Sequence, residues 1–458
     1  MATTATEADD NAITHGYRAV WRWHFFAALW IAPFLIILTI TGALYLFDRE
    51  FEGWWNRDVQ TVAVGSQVLP LARQEAAVLA AFSGATVNRV VLPRESAAAS
   101  IWSITDGGEA RDVYLDPYSG KVTGTTDPDW QPMNIIRDLH GTLLGGEIGS
   151  HAVELVACWT LVMMATGIWL WWPRKWKAKG VFVPRLGTSG RRYWRDLHSI
   201  PSIFNALFVI LLVLTGLPWS AFWGPQFARL GDVVPFVAAS PNFKAPPKAD
   251  GGMAGDDHAM HQQQTSDSKL PWTIQHSPAP RGQGMGKAGI ADMEALLPRL
   301  DQSRWGGGVR IIYPRKLGDV FTISYVPDKA EGQRTIYVDP GSAHIIGNIG
   351  WADYSSTAKA VEWGVMTHMG RQYGLSNQLA NLLVCLILIG AVIAGLILWW
   401  KRRPEGKLGA PLLEKGDRTP TGVKILLVAL AALFPLLGVT MLPMVLWRQF
   451  NSVPPQQL

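Results

Sequence analysis

Five apolar runs, each about as long as a bilayer demands, constrain this chain before anything else does. They cover residues 23–47, 151–172, 199–223, 377–400 and 422–447. A helix needs about 20 predominantly apolar residues to cross a hydrocarbon core. The 458-residue chain is 48% hydrophobic and only 17% charged. That is little charge for a soluble enzyme and too much polar sequence for a pure bundle, so spans must alternate with soluble domains. Trp54-Trp55, Trp171-Trp172 and Trp399-Trp400 fall where spans end, the headgroup zone that amphipathic rings favour. Both cysteines, Cys158 and Cys385, lie inside apolar runs, so the soluble parts hold no disulfide framework.

The net charge of +5 is a topology signal and does not call for nucleic acid, because the basic residues gather beside the apolar runs. The 173–196 loop carries Arg174, Lys175, Lys177, Lys179, Arg185, Arg191, Arg192 and Arg195; the 401–424 stretch carries Lys401, Arg402, Arg403, Lys407, Lys415, Arg418 and Lys424. The positive-inside rule makes both cytoplasmic. The first run has no small-x-small cleavage site and reads as a retained signal anchor. The expected order is a cytoplasmic tail (1–17), a span (18–47), an outer domain (48–147), a span (148–172), a cytoplasmic loop (173–196) and a span (197–223). A second outer domain (224–374), a span (375–400), a cytoplasmic loop (401–421), a fifth span (422–447) and an outer tail (448–458) follow.

The chain repeats itself. "RVVLPR" at 89–94 matches "RIIYPR" at 310–315, and "VYLDPYSGKVTG" at 113–124 matches "IYVDPGSAHIIG" at 336–347. "TG" at 41–42 matches "TG" at 215–216, and "GIWLWWPR" at 167–174 matches "GLILWWKR" at 395–402. The unit is span, outer domain, span, used twice, with the fifth helix added. The offset is 174 between the first and third spans and 221–223 between the outer domains. It is 228 between the second and fourth spans. The jump locates an insertion in the second outer domain, at about 240–287, rich in Gly, Pro, Ala and Gln and a poor core former. Both copies insert the same way round, so a pseudo-two-fold axis runs along the membrane normal. Each outer domain reads as a small α+β module: a helical pattern, then short antiparallel strands punctuated by Asp-Pro and Gly.

Four of the ten histidines obey these offsets. His24 and His198 are 174 apart at the cytoplasmic edge; His140 and His368 are 228 apart at the outer edge. A lone histidine at a membrane interface is more often an amphipathic anchor than a ligand. Two repeat-related pairs on one axis point to ligation. Facing imidazoles suit a six-coordinate haem iron, whose ring slots between helices. Zinc or copper is the alternative, but no third ligand is repeat-related. Arg18, Arg22, Arg192 and Arg195 near the inner pair, and Arg137 and Arg371 beside the outer pair, are candidate propionate partners. Gly42, Gly216, Gly167 and Gly395 allow close approach. His151 reads as structural. Met253, His258, Met260 and His261 in the insertion offer soft thioether and imidazole ligands that suit copper. Glu154 and Glu362 read as helix-capping or solvated residues, with proton relay as the alternative. The fifth span reads as packing or oligomer contact.

"WRWHFFAALW", "LHGTLLGG", "TGIWLWWPR", "RDLHSI", "MTHMGRQYGL" and the paired "DP" modules resemble the PepSY-associated transmembrane helix family, often labelled iron-regulated membrane proteins. The resemblance covers about residues 14–403. It implies an α-helical membrane bundle, internally duplicated, with two periplasmic α+β PepSY-like domains, in the bacterial inner (cytoplasmic) membrane. Members include ferric-siderophore reductases with two b-type haems, whose bis-His ligands would map onto His24, His198, His140 and His368. The expected function is an oxidoreductase passing electrons across the membrane to a periplasmic ferric-siderophore, releasing Fe(II). No G-x-G-x-x-G fingerprint appears, so the donor is separate, a cytosolic reductase or quinol. The alternatives are a haem protein that reduces copper or another periplasmic oxidant, and a haem-free PepSY binding or regulatory protein.

Overall fold

The computed structural model describes residues 2–173, 175–233, 270–275, 280–282, 288–299, 308–325, 327–403, 405–406, 409 and 417–450. The chain begins with a long helix, α1 (Ala2–Tyr45), then α2 (Asp48–Trp55), α3 (Arg57–Gln60) and α4 (Leu71–Ala81). Strands β1 (Thr86–Val91), β2 (Ser100–Asp106), β3 (Glu109–Leu115) and β4 (Val122–Thr126) follow. Next come α5 (Pro132–Thr142), α6 (Gly146–Trp171), α7 (Gly190–Gly216), α8 (Trp223–Val233), α9 (Trp272–Gln275) and α10 (Ile290–Leu296). The second strand group is β5 (Val309–Ile312), β6 (Phe321–Tyr325), β7 (Arg334–Val338) and β8 (Ile345–Gly350). Helices α11 (Ser356–His368), α12 (Leu375–Arg402), α13 (Thr421–Leu433) and α14 (Pro435–Phe450) complete the described chain.

Two compact units result: Met1–Leu44 with Arg137–Gly224 and Ala380–Leu458, and Tyr45–Ile136 with Pro225–Leu379. In the first, four helical stretches are long and apolar enough to cross a membrane: Gly16–Tyr45, Gly146–Trp171, Gly190–Trp219 and Leu375–Arg402. Leu207, Phe208, Leu383, Leu386 and Ile393 are exposed on them, as side chains facing lipid are. Inside, Asn205 Nδ2 donates to the Val384 carbonyl at 2.9 Å and ties α7 to α12. The Arg402 guanidinium lies 3.6 Å from the centre of the Trp21 ring and ties α12 to α1.

The expected fifth span is not one helix. Phe434 leaves the helical region, with φ −120° and ψ 88°, and Pro435 begins α14. Proline has no N–H to donate and pushes the residue before it toward extended backbone. The chain doubles back there: a Cβ on Gly438 would come within 2.9 Å of the Ala431 carbonyl. Both halves of this hairpin pack on α6. Val423, Leu427, Phe434, Leu437 and Met441 share a core with Val156, Trp159 and Val162, and Trp159 Nε1 donates to Thr440 Oγ1 at 3.1 Å. Neither helix of the hairpin is long enough to cross, so the outer location expected for the chain's end loses its basis.

The second unit corrects the expectation of two separate modules. Its strands form one antiparallel eight-stranded sheet, in the order β4-β3-β2-β1-β5-β6-β7-β8. Two four-stranded meanders meet along β1 and β5, where Arg89 pairs with Ile312, Val90 with Ile311 and Val91 with Arg310. Residues 221 apart exchange places about the central Val90–Ile311 pair. The outermost strands, β4 ("VTGTT") and β8 ("IIGNIG"), carry glycine and little apolar alternation, so their sequence signal is weak. One face of the sheet is apolar: Trp102, Ile104, Val113, Leu115, Ile311, Ile323 and Ile336 are buried beneath Leu71 and Val78 of α4 and Ile290 and Met293 of α10.

Glu362 on α11 is buried and accepts from Thr273 N (2.9 Å), Thr273 Oγ1 (2.8 Å) and Gln333 Nε2 (2.8 Å). It fastens α9 to α11, which leaves no exposed proton carrier. Burial raises its pKa against the pull of those three donors. A raised folded pKa contributes stability that is full below the unfolded value and is lost as pH rises through the folded one. Glu362→Gln removes that loss, because Gln333 can turn its otherwise unpartnered Oε1 toward the new amide. We expect the two proteins to melt alike near pH 4, and the variant to melt higher at pH 7.5, in thermal scans of the sheet unit.

Candidate functional site

His24 and His198 lie in α1 and α7, and the structure brings them together. Their ring centres are 6.2 Å apart and their planes 78° apart. Each ring is backed by a glycine of the next span. A Cβ on Gly167 would meet His24 Cε1 at 3.2 Å, and one on Gly395 would meet His198 Nδ1 at 3.2 Å. Any larger residue would displace the rings.

One turn of the neighbouring helix fixes each ring. His198 Nδ1 donates to the Ala391 carbonyl at 2.8 Å. His24 Nδ1 lies 3.0 Å from Thr166 Oγ1. That hydroxyl gives its own proton to the Val162 carbonyl at 2.7 Å, so toward His24 it accepts. Nδ1 therefore carries the proton in both rings and Nε2 is left as the basic nitrogen. Such outer-sphere bonds hold a ligating imidazole in one tautomer and orientation.

The same seat recurs at His140. Its Nδ1 donates to the Leu38 carbonyl at 3.0 Å, with Thr41 Oγ1 at 3.1 Å, and a Cβ on Gly42 would meet its Cε1 at 3.0 Å. Burial lowers the pKa of this ring, against the opposing Leu38 bond, which favours the neutral form that a ligand must have. The turn after it is tight: Leu143 and Leu144 have φ of 49° and 57°, and a Cβ on Gly149 would sit 1.6 Å from the Thr142 carbonyl. The glycines of "LLGG" let the chain reverse at once into α6. His368, its expected partner, ends α11 in the sheet unit.

Thr-Gly is thus the seat's signature, at Thr41-Gly42 and Thr166-Gly167, with Ala394-Gly395 as the variant lacking the hydroxyl. The glycines, and Thr41 within "TG" at 41–42, stand out in the repeat. Thr166 and the carbonyls do not, since a carbonyl is invisible in a side-chain pattern.

Most of the six arginines are engaged elsewhere. Arg18 pairs with the fully buried Asp417 carboxylate at 3.1 Å, and Arg22 lies 4.9 Å over the Phe26 ring. Arg195 shares Asp196 with Arg185, and Arg137 pairs with Asp138. Arg371 pairs with Asp48, and Arg192 is exposed. Glu154 is buried and accepts from the backbone N–H groups of Phe222 and Trp223, at 3.0 and 3.1 Å, capping the start of α8. His151 bonds to the Glu147 carbonyl one turn back in its own helix. Met253, His258, Met260 and His261 lie outside the described residues.

The described residues hold no cluster of three or more His, Cys, Asp or Glu placed for a metal ion, as a protein-ligated zinc site requires. A metal–imidazole bond of about 2 Å puts two ring centres on opposite sides of one ion about 6 Å apart. The 6.2 Å between His24 and His198 fits an ion with one imidazole on each side and its remaining ligands from a macrocycle.

None of the curated proteins compared with the chain matches it. The model of a family described as PepSY-associated TM region matches residues 21–402, a stretch that contains all three described seats and the whole sheet. This membrane-embedded protein therefore belongs to the PepSY-associated TM region family.

Proposed function

We propose that the protein is a dihaem b-type reductase of the bacterial inner membrane, passing electrons from the cytoplasmic side to a periplasmic ferric chelate such as a ferric siderophore. One observation carries this reading: two repeat-related histidines, His24 and His198, with ring centres 6.2 Å apart, one Nδ1 tied to the Thr166 hydroxyl and the other to the Ala391 carbonyl. His24 and His198 would hold the inner haem, and His140 and His368 the outer one. Bound there, haem supplies one-electron transfer. The chain's own part is to keep each Nε2 unprotonated and aimed, and to let the spans approach at Gly167 and Gly395. The basic loops favour a cytoplasmic N-terminus and a periplasmic sheet. The symmetric β1–β5 seam supports an internal duplication. A ferric siderophore reduced to Fe(II) loosens, because hard oxygen ligands hold the softer ion less tightly.

The absorption spectrum of protein made in haem-replete cells tests this. We expect a b-type Soret band and a sharp α band on dithionite reduction. His24→Ala and His140→Ala should each lose about half the haem, since each ligates a different ring. A colourless wild type would end the reading, and a variant that kept all its haem would end the pairing.

A further inference from the structure

Helix α13 leaves an open cavity against α6. Residues 420–427 lie beyond the part of the chain that the family model matches. Between them and α6 lies a cavity of about 280 Å³, lined by Ala165, Thr166, Trp169, Gly422, Leu426 and Leu427, with Pro420 and Val423. Its wall is apolar apart from Thr166, whose Oγ1 is the atom 3.0 Å from His24 Nδ1. The cavity therefore abuts the seat of the inner histidine, with one hydroxyl between them. It lies beside a membrane-spanning helix, and a Cβ on Gly422 would meet nothing within 4 Å, so there is room at that edge.

We infer that this cavity binds the ring of a lipid-soluble quinol, the electron donor to the inner site. The inference rests on the haem reading above. The volume is near the lower end of the ~300–1,000 Å³ typical of ligand pockets, enough for a small ring system and too little for a nucleotide cofactor. An aromatic wall at Trp169 suits stacking against such a ring. A donor dissolved in the bilayer reaches this place from the side. Oxidation breaks the quinol's two O–H bonds: two protons pass to water at the membrane edge, the quinone remains, and the two electrons would go one at a time to the haem that His24 and His198 would hold. Two electrons match two one-electron reductions of ferric iron.

The test uses purified haem-loaded protein in nanodiscs, with two readouts. An azido-naphthoquinone photolabel, mapped by mass spectrometry, should mark peptides 165–169 and 420–427. A short-chain naphthoquinol should reduce the α band. Gly422→Phe, which sets a ring at the cavity edge where a Cβ meets nothing within 4 Å, should lose the label and slow quinol reduction about tenfold or more, as a built-in clash does. Its haem content and dithionite reduction should not change. Gly390→Phe, at an exposed position of α12, should behave as wild type. Protein that dithionite reduces but quinol does not, labelling elsewhere, or a cavity that retains only phospholipid would overturn the inference and leave the haem reading standing. Absence of haem bands would overturn the haem reading itself.

Discussion

Under the proposed dihaem function, Gly167→Leu should strip the protein of one haem and leave the other. The effect is large because the seat has no slack. A Cβ alone would press on His24 Cε1 at 3.2 Å, and leucine adds three more carbons in the same direction. The ring must swing away, and its bond to the Thr166 hydroxyl breaks. A ligand released from its outer-sphere partners loses metal affinity by about 10–100-fold even without steric displacement. Gly395→Leu should do the same through His198. The check is the haem-to-protein ratio, expected to fall by about half in either variant, since only the inner ring depends on these seats. Gly390→Leu should keep full haem, because a Cβ there meets nothing within 4 Å. Full occupancy with an unaltered spectrum in Gly167→Leu would mean that His24 is not a ligand.

Ile311→Asp should unfold the sheet unit. Ile311 is fully buried opposite Val90, which is equally buried, at the centre of the ladder that joins the two meanders. Only Arg89 to Val91 face Arg310 to Ile312 there, with Leu92 N to Val309 O (2.8 Å) and Tyr313 N to Asn88 O (2.9 Å) beyond the ends. A carboxylate placed in that apolar layer has no partner, and such burial costs upward of about 4 kcal/mol. Limited proteolysis should cut the variant between residues 86 and 126 and between 309 and 350, where wild type resists. Ile345→Asp on β8, where the side chain is 41% exposed, should resist like wild type. If Ile311→Asp resisted too, the two meanders would not depend on a common core.

Much of this was legible beforehand, for reasons that differ by element. The four long helices announce themselves because a bilayer imposes length and apolarity together. The apolar run at 422–447 misled because length alone was counted; Pro435 stood in its middle and has a known geometric consequence. The pairing of His24 with His198 came from arithmetic between copies, because two segments that fold alike place equivalent residues alike. Arg18 and Arg371 were grouped with the histidines by nearness in sequence. Their carboxylate partners, Asp417 and Asp48, lie 399 and 323 residues away along the chain, beyond any local pattern.

The sequence by itself determined the four long spans and set His24 and His198 apart as a pair, since hydropathy and internal offset are written in side-chain identity. Tertiary structure alone decided that the two outer modules share one sheet, because strand edges join through backbone groups every residue carries. It alone decided the seats as well. A carbonyl or hydroxyl in the turn before a glycine orients each imidazole only after a second helix has come within reach.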